Sequence, residues 1–300
     1  MRDLKDFTKA EWIRLLPLQH GIKQVRNDVM QNAVLRQRPK TLEKFLAGNA
    51  HLKGRNIVNV VIFGQPWVLD FFLKMAGRHL ADATVLVFDN SRQPSERTEI
   101  ERVCHGHNIA YLGLPWNPTR HANRSHGIAM TWIFHHVVRA IQPATMCFID
   151  YDLIPIERIE LARTLGGQPF YGVAAISQWA WALWAGYCLY DFSAVSALPL
   201  NFLYDFSRGL DTGGRNWNCL YKNHDRSQFR FADLKFEQVI DPTRGIPRKV
   251  ECVDDCWIHL RGVTHQKDFK ANVGYFAQIT AAADEGANLQ QILAAMKSPR

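Results

Sequence analysis

Four apolar, β-branched runs recur through the first half of the chain. They are NIVNVVIFG (Asn56 to Gly64), ATVLVFDNS (Ala83 to Ser91), IAYLGLP (Ile109 to Pro115) and Thr145 to Ile149, which heads TMCFIDYDLIPIE. Stretches with helical character separate them: PWVLDFFLKMAGRHL, ERTEIERVCHGHN and SHGIAMTWIFHHVVRAI. Pro66 stands at a first helical turn, where its missing N–H costs nothing, and Ser125 is placed to cap the third helix. Strands that are apolar throughout are covered on both faces, as in parallel sheets, and crossover helices do the covering. The expected fold class is therefore α/β, a mostly parallel central sheet with helices on both faces.

Residues 1–54 read as an added N-terminal helical segment. Thr8 and Glu11 have capping-box spacing ahead of Trp12, Leu15 and Leu16. Pro17 is expected to end that helix. A second helix carries Ile22, Val25, Val29 and Ala33 on one face, and a short third follows Pro39. Residues 55–265 form the main domain. Its second half is irregular and aromatic, with four of the nine tryptophans between 179 and 217, and CVDDCWIHLRGVTH reads as its last strand. Residues 266–300 form two closing helices packed on the same domain, the second striped by Leu289, Ile292, Leu293 and Met296.

At 47% apolar residues the chain can build a sizeable core, and global disorder is not expected. The net charge of +8 favours an anionic partner such as a nucleotide, a phosphate or an acidic lipid surface, and it admits peripheral membrane association through a basic surface. The charge is scattered and carries no nucleic-acid-binding motif, so no nucleic-acid partner is expected. No apolar stretch reaches the roughly 18 residues of a membrane span. The opening MRDLKDFTKAEWIRLL is too charged for a signal-peptide core. Six scattered cysteines, several inside apolar runs, read as reduced thiols of a cytoplasmic protein. Cys252 and Cys256, the one close pair, lack the second pair of a typical zinc site.

Asp150-Tyr151-Asp152 closes a strand bound for the core, and a buried carboxylate needs a partner. Three partners are open. A divalent cation takes carboxylate oxygens together with water and phosphate, and alternate residues of an extended chain present their side chains to one side. Two bare carboxylates about 4 Å apart repel by roughly 4 kcal/mol at an effective dielectric near 20, which a metal removes. A phosphoaspartyl mechanism, as in haloacid-dehalogenase-like phosphatases, also uses a strand-end D-x-D. It expects Thr or Val where Ile154 stands and opens its domain with the motif, although an acidic pair follows at Asp254-Asp255. The third option is structural, one Asp capping and the other paired with an Arg. Ligands of open α/β sheets bind beyond the carboxyl ends of the strands, where Asp89 also sits.

In this order the elements resemble nucleotide-sugar glycosyltransferases of the GT-A fold, a Rossmann-like architecture. The resemblance runs from about Asn56 to His265. It is carried by NVVIFGQPWVLDFFLKMA with VLVFDNS, by NRSHGIAMTWIFHHV, by FIDYDLIPI as the D-x-D, by LWAGYCLYDFS and LDTGGRNW, and by WIHLRGVTH as a late His-Gly segment. The N-terminal 50 residues fall outside it. The resemblance implies a metal-dependent enzyme moving a sugar from a nucleotide-diphosphate donor to a glycan or other hydroxyl acceptor, as in surface polysaccharide synthesis. It implies Mn²⁺ or Mg²⁺ on Asp150, Asp152 and His259, with His265 a second choice for the histidine. Asp89, Asn90, His126 and Arg261 are the implied donor-binding residues, Asp211 the general base, and Trp179, Trp181 and Trp184 candidates for stacking on a sugar. Inversion and retention both stay open. So do two other readings: the phosphatase acting through Asp150 and Asp152, and a non-catalytic module that binds a nucleotide sugar.

Overall fold

The computed structural model describes residues 1–240, 245–260 and 266–297. It opens with three helices, α1 (Lys9–Ile13), α2 (Leu16–Leu35) and α3 (Leu42–Gly48). The alternating part follows as β1 (Asn56–Ile62), α4 (Pro66–His79), β2 (Ala83–Asp89), α5 (Pro94–Gly106), β3 (Ala110–Gly113), α6 (Ala122–Ile133), the short α7 (Arg139–Ile141) and β4 (Thr145–Asp150). Then come β5 (Leu153–Pro155), α8 (Leu161–Leu165), β6 (Phe170–Ile176), β7 (Trp181–Asp191), α9 (Phe192–Val195), β8 (Leu234–Ile240), β9 (Pro247–Val253), β10 (Trp257–His259), α10 (Gln266–Asp284) and α11 (Leu289–Lys297).

Six strands form the central sheet in the order β3-β2-β1-β4-β7-β6. β1 pairs in parallel with β2 and β4, and β2 with β3. β7 runs antiparallel between β4 and β6, so five of the six strands point one way. The pleat divides β1 between two cores. Val58, Val60 and Ile62 pack with α4, α5, the second sheet and the C-terminal helices. Ile57 and Val61 pack with Phe88, Phe148, Ile128 and Trp132, and with Val34, Leu42 and Phe45 from the N-terminal helices. Each fully buried Val, Ile or Phe of this kind contributes roughly 1.5–3 kcal/mol relative to exposure. All four stripe residues of α11 are buried.

Three expectations are corrected: the place of Pro17, the cap of the third helix and the last strand. Thr8 and Glu11 do form the capping box, but Pro17 lies in the first turn of α2 instead of ending a helix, where proline is tolerated. Ser125 lies inside α6, which His121 caps by accepting the Arg124 N–H. The face of α2 with Ile22, Val25 and Val29 turns outward; the helix packs instead through Pro17, Asn27, Gln31 and Val34. Polar contacts hold it there. Gln31 and Asn201 exchange side-chain hydrogen bonds, and Arg215 pairs with Asp28. Finally, the segment read as a last strand is a hairpin. β9 and β10 pair antiparallel around a turn in which Asp254 and Asp255 take φ of 53° and 54°. With β5 and β8 they form a second sheet in the order β5-β10-β9-β8.

Candidate functional site

Asp150 is the last residue of β4, level with Val61 near the end of β1. Asp152 follows just before β5. Because β5 pairs antiparallel with β10, with Leu153 opposite His259, the hairpin returns an imidazole to the acidic pair. Asp150, Asp152 and His259 each offer one ligand atom, all within 4.8 Å of one another. His259 Nε2 lies 3.4 Å from Asp152 Oδ1, and its Nδ1 lies 2.6 Å from Glu251 Oε2. Glu251 stands directly opposite His259 in the β9–β10 register. A ligating histidine is commonly oriented by such a carboxylate on its other nitrogen.

Among the described residues neither Asp150 nor Asp152 pairs with a lysine or arginine; their ion-pair partners are His126, 3.6 Å from Asp150 Oδ1, and His259. Burial pushes the Asp150 carboxyl above its ordinary range; His126 draws it back, and the Asp152 charge raises it further. Burial disfavours the imidazolium of His259, yet Asp152 and Glu251 outweigh that and raise its pKa to about 10. The proton on His259 therefore supplies the positive charge that the cluster requires. Two carboxylates and one imidazole are the oxygen and nitrogen donors that Mn²⁺ accepts, and Mg²⁺ fits the carboxylates. The donor set fits either ion.

These residues line a groove of about 1180 Å³ with Asn90, Ser125, His126, Trp184, Asp211 and Lys249 among its walls. A groove of that size exceeds the usual range for a small-molecule pocket. Close packing holds the acidic pair in place. A Cβ at Gly186 of β7 would stand 2.4 Å from Asp150 Oδ2, so a larger residue there would displace the carboxylate. The Trp184 ring lies 5.0 Å from that of His259, centroid to centroid.

The remaining candidates divide. Asp89 is fully buried, and its carboxylate accepts from Ser91 N and the Tyr111 hydroxyl; it does not line the groove. Its neighbour Asn90 does, donating to Ser125 Oγ at 2.9 Å. His126 lies within α6, beyond its first turn, and faces Asp150. Asp211 lines the groove, its Oδ1 accepting from Asn123 Nδ2 at 2.6 Å and from Thr212 N at 2.8 Å. Of the tryptophans only Trp184 reaches the groove: Trp181 is core, and Trp179 lies under the Arg2 guanidinium. Asp254 is held by the hydroxyls of Tyr171 and Tyr187 at a separate pocket, and Asp255 pairs with Lys235, so the pair that a phosphatase would need is not in the groove. All six cysteines are free. Arg261 and His265 lie outside the described residues. Glu251, Gly186 and Asn123 were not singled out in the sequence. Only the register of a hairpin, a strand crossing and a loop contact give them meaning, and none of these leaves a local motif.

No family model matches the chain, and no curated protein matches it. Solved structures do. A mannosyltransferase, PcManGT from Pyrobaculum calidifontis in complex with GDP-Man and Mn²⁺, aligns at 11% identity and a TM-score of 0.36, over 58% of this chain and 55% of that one. The bifunctional glycosyltransferase WbbM aligns at 12% identity and a TM-score of 0.34, over 47% and 32%. Glucosyl-3-phosphoglycerate synthase from Mycobacterium tuberculosis, with Mn²⁺ and UDP-glucose, aligns at 14% identity and 0.28, over 46% and 49%. The chain thus spans about half or less of each protein's length. Likeness this partial does not decide an activity, which has to be read from the groove itself.

Proposed function

We propose that the chain is a metal-dependent glycosyltransferase that moves a sugar from a nucleotide-diphosphate donor to a hydroxyl acceptor in the synthesis of a glycan, such as a surface polysaccharide. The observation that carries this reading is the convergence of Asp150, Asp152 and His259, without a lysine or arginine partner among the described residues, on a large groove at the carboxyl ends of the parallel strands. Asp150, Asp152 and His259 would hold Mn²⁺ or Mg²⁺, with Glu251 fixing the ring of His259. When bound, the ion supplies Lewis-acid stabilisation of charge on the departing diphosphate. The reaction breaks the bond between the sugar's anomeric carbon and the diphosphate oxygen, which keeps the electron pair. The acceptor oxygen bonds to that carbon, and its proton passes to a base. Asp211 is the candidate base, its carboxylate positioned by Asn123 and Thr212. Asn90 and His126 would face the donor, and Arg261 remains a donor-binding candidate.

The test is a thermal-shift panel of nucleoside diphosphates with and without Mn²⁺. At least one is expected to stabilise the protein only when metal is present, and Asp152→Ala is expected to lose that effect. Stabilisation that needs no metal and survives in Asp152→Ala would overturn the reading. Slow Mn²⁺-dependent hydrolysis of the matching nucleotide sugar then separates an enzyme from a binding module.

A further inference from the structure

Helix α2 runs for 20 residues, about 30 Å, with one side against the protein. Its outer side is apolar. Leu15, at the cap, Leu18, Ile22, Val25 and Val29 follow at alternating spacings of three and four, which keeps them in one row about 21 Å long. Ile22 is 72% exposed, Val25 and Val29 64%, and the two leucines more than half. Leu4, Trp12 and Ile13 ahead of the helix are exposed as well. Single exposed apolar residues are ordinary on a protein surface; a continuous row is the mark of a docking face.

The charge around the row identifies the occupant. Residues 1–40 contain nine Lys and Arg against four Asp and Glu, so five of the eight net positive charges lie there. Two of the four acids are taken up within the chain, Glu11 by Arg2 and Asp28 by Arg215. Arg14, Arg26 and Arg36 are exposed and form no ion pair among the described residues. Apolar side chains in a row, a nearby tryptophan and unpaired arginines match a helix lying flat in the headgroup region of an anionic bilayer. A second copy of the chain fits less well. Self-pairing helices flank their seam with complementary charges, and here the acid on the flank of the row, Asp28, is already used. We infer that α2 docks the protein on an anionic lipid surface, its row of Leu, Ile and Val entering the interface and its arginines meeting the headgroups. The contact inferred is peripheral; no described helix is long and apolar enough to cross a membrane.

The experiment is flotation of the full chain with vesicles of phosphatidylcholine alone or mixed with phosphatidylglycerol, in the absence of metal and nucleotide, so that its outcome is independent of the sugar-transfer reading. Binding is expected on the anionic vesicles and about tenfold weaker on the neutral ones. Ile22→Glu with Val25→Glu is expected to abolish flotation without moving the melting temperature, because both side chains point outward. Arg26→Glu with Arg36→Glu should weaken binding about tenfold or more through charge alone. Three results would overturn the inference: no flotation with anionic vesicles, flotation unchanged in the Ile22/Val25 variant, or sedimentation as a dimer that the same variant splits, which would assign the row to a second copy.

Discussion

A methyl group at residue 186 would stand 2.4 Å from Asp150 Oδ2 and 2.3 Å from the Trp184 ring. Both are side chains on the groove wall, so the added methyl would push the carboxylate or the ring out of its present place. Gly186→Ala is therefore expected to weaken Mn²⁺ binding about tenfold or more, as overpacking by roughly 1–3 kcal/mol would, with the far-ultraviolet spectrum unchanged; titration calorimetry would measure it. Protonation of the neighbouring imidazole gives a second expectation. His259 carries its proton up to a pKa of about 10 in the metal-free protein, so an entering cation must displace it. Below that pKa, affinity should rise with pH, by up to about tenfold per unit, with a proton released for each ion bound. Calorimetry between pH 6 and 8 in buffers of different ionisation enthalpy would show it; a flat profile would remove His259 from the ligand set. The effect on stability has the opposite sign. The raised pKa stabilises the metal-free fold fully below the ordinary histidine value, and that contribution disappears as pH climbs through about 10.

Elements were legible in the sequence where local pattern and burial agree. Ile57 to Ile62, Val85 to Phe88 and Met146 to Ile149 are buried on both faces and say so by composition. Asp150 and Asp152 stood out because they close such a strand, and His259 because WIHLRGVTH resembles a late His-Gly segment of the GT-A enzymes. The second sheet was less visible. β8, LKFEQVI, buries only Val239 and mixes charges with apolar residues, so its period competes with polar loop. Without β8 and β9 there was no hairpin, and without the hairpin no reason to place Glu251 opposite His259. Helix α2 shows a different limit. Its periodicity established that Ile22, Val25 and Val29 share a side, but a period does not say which side meets the protein. Asn27 and Gln31 decided that, through burial that their polarity disguises.

At the scale of the whole molecule, the central sheet serves two cores at once. The N-terminal helices contribute Val34, Leu42 and Phe45 to one, and the C-terminal helices contribute Phe276, Ile292 and Met296 to the other. Removing either set would strip a face of the same strands. Heating is therefore expected to give one calorimetric transition for the full chain; two resolved peaks would mean that an end segment folds apart from the sheet. The contacts of α2 carry a further consequence. Its outward row is fastened to the stretch that bears Asp211 by Asp28 with Arg215 and by Gln31 with Asn201, so the two cannot drift independently. If that row rests on a bilayer, the groove stands at a set height above the lipid. A hydroxyl on an embedded molecule would be reached only when its spacer matches that height, and chain length beyond the headgroup becomes a selector in its own right.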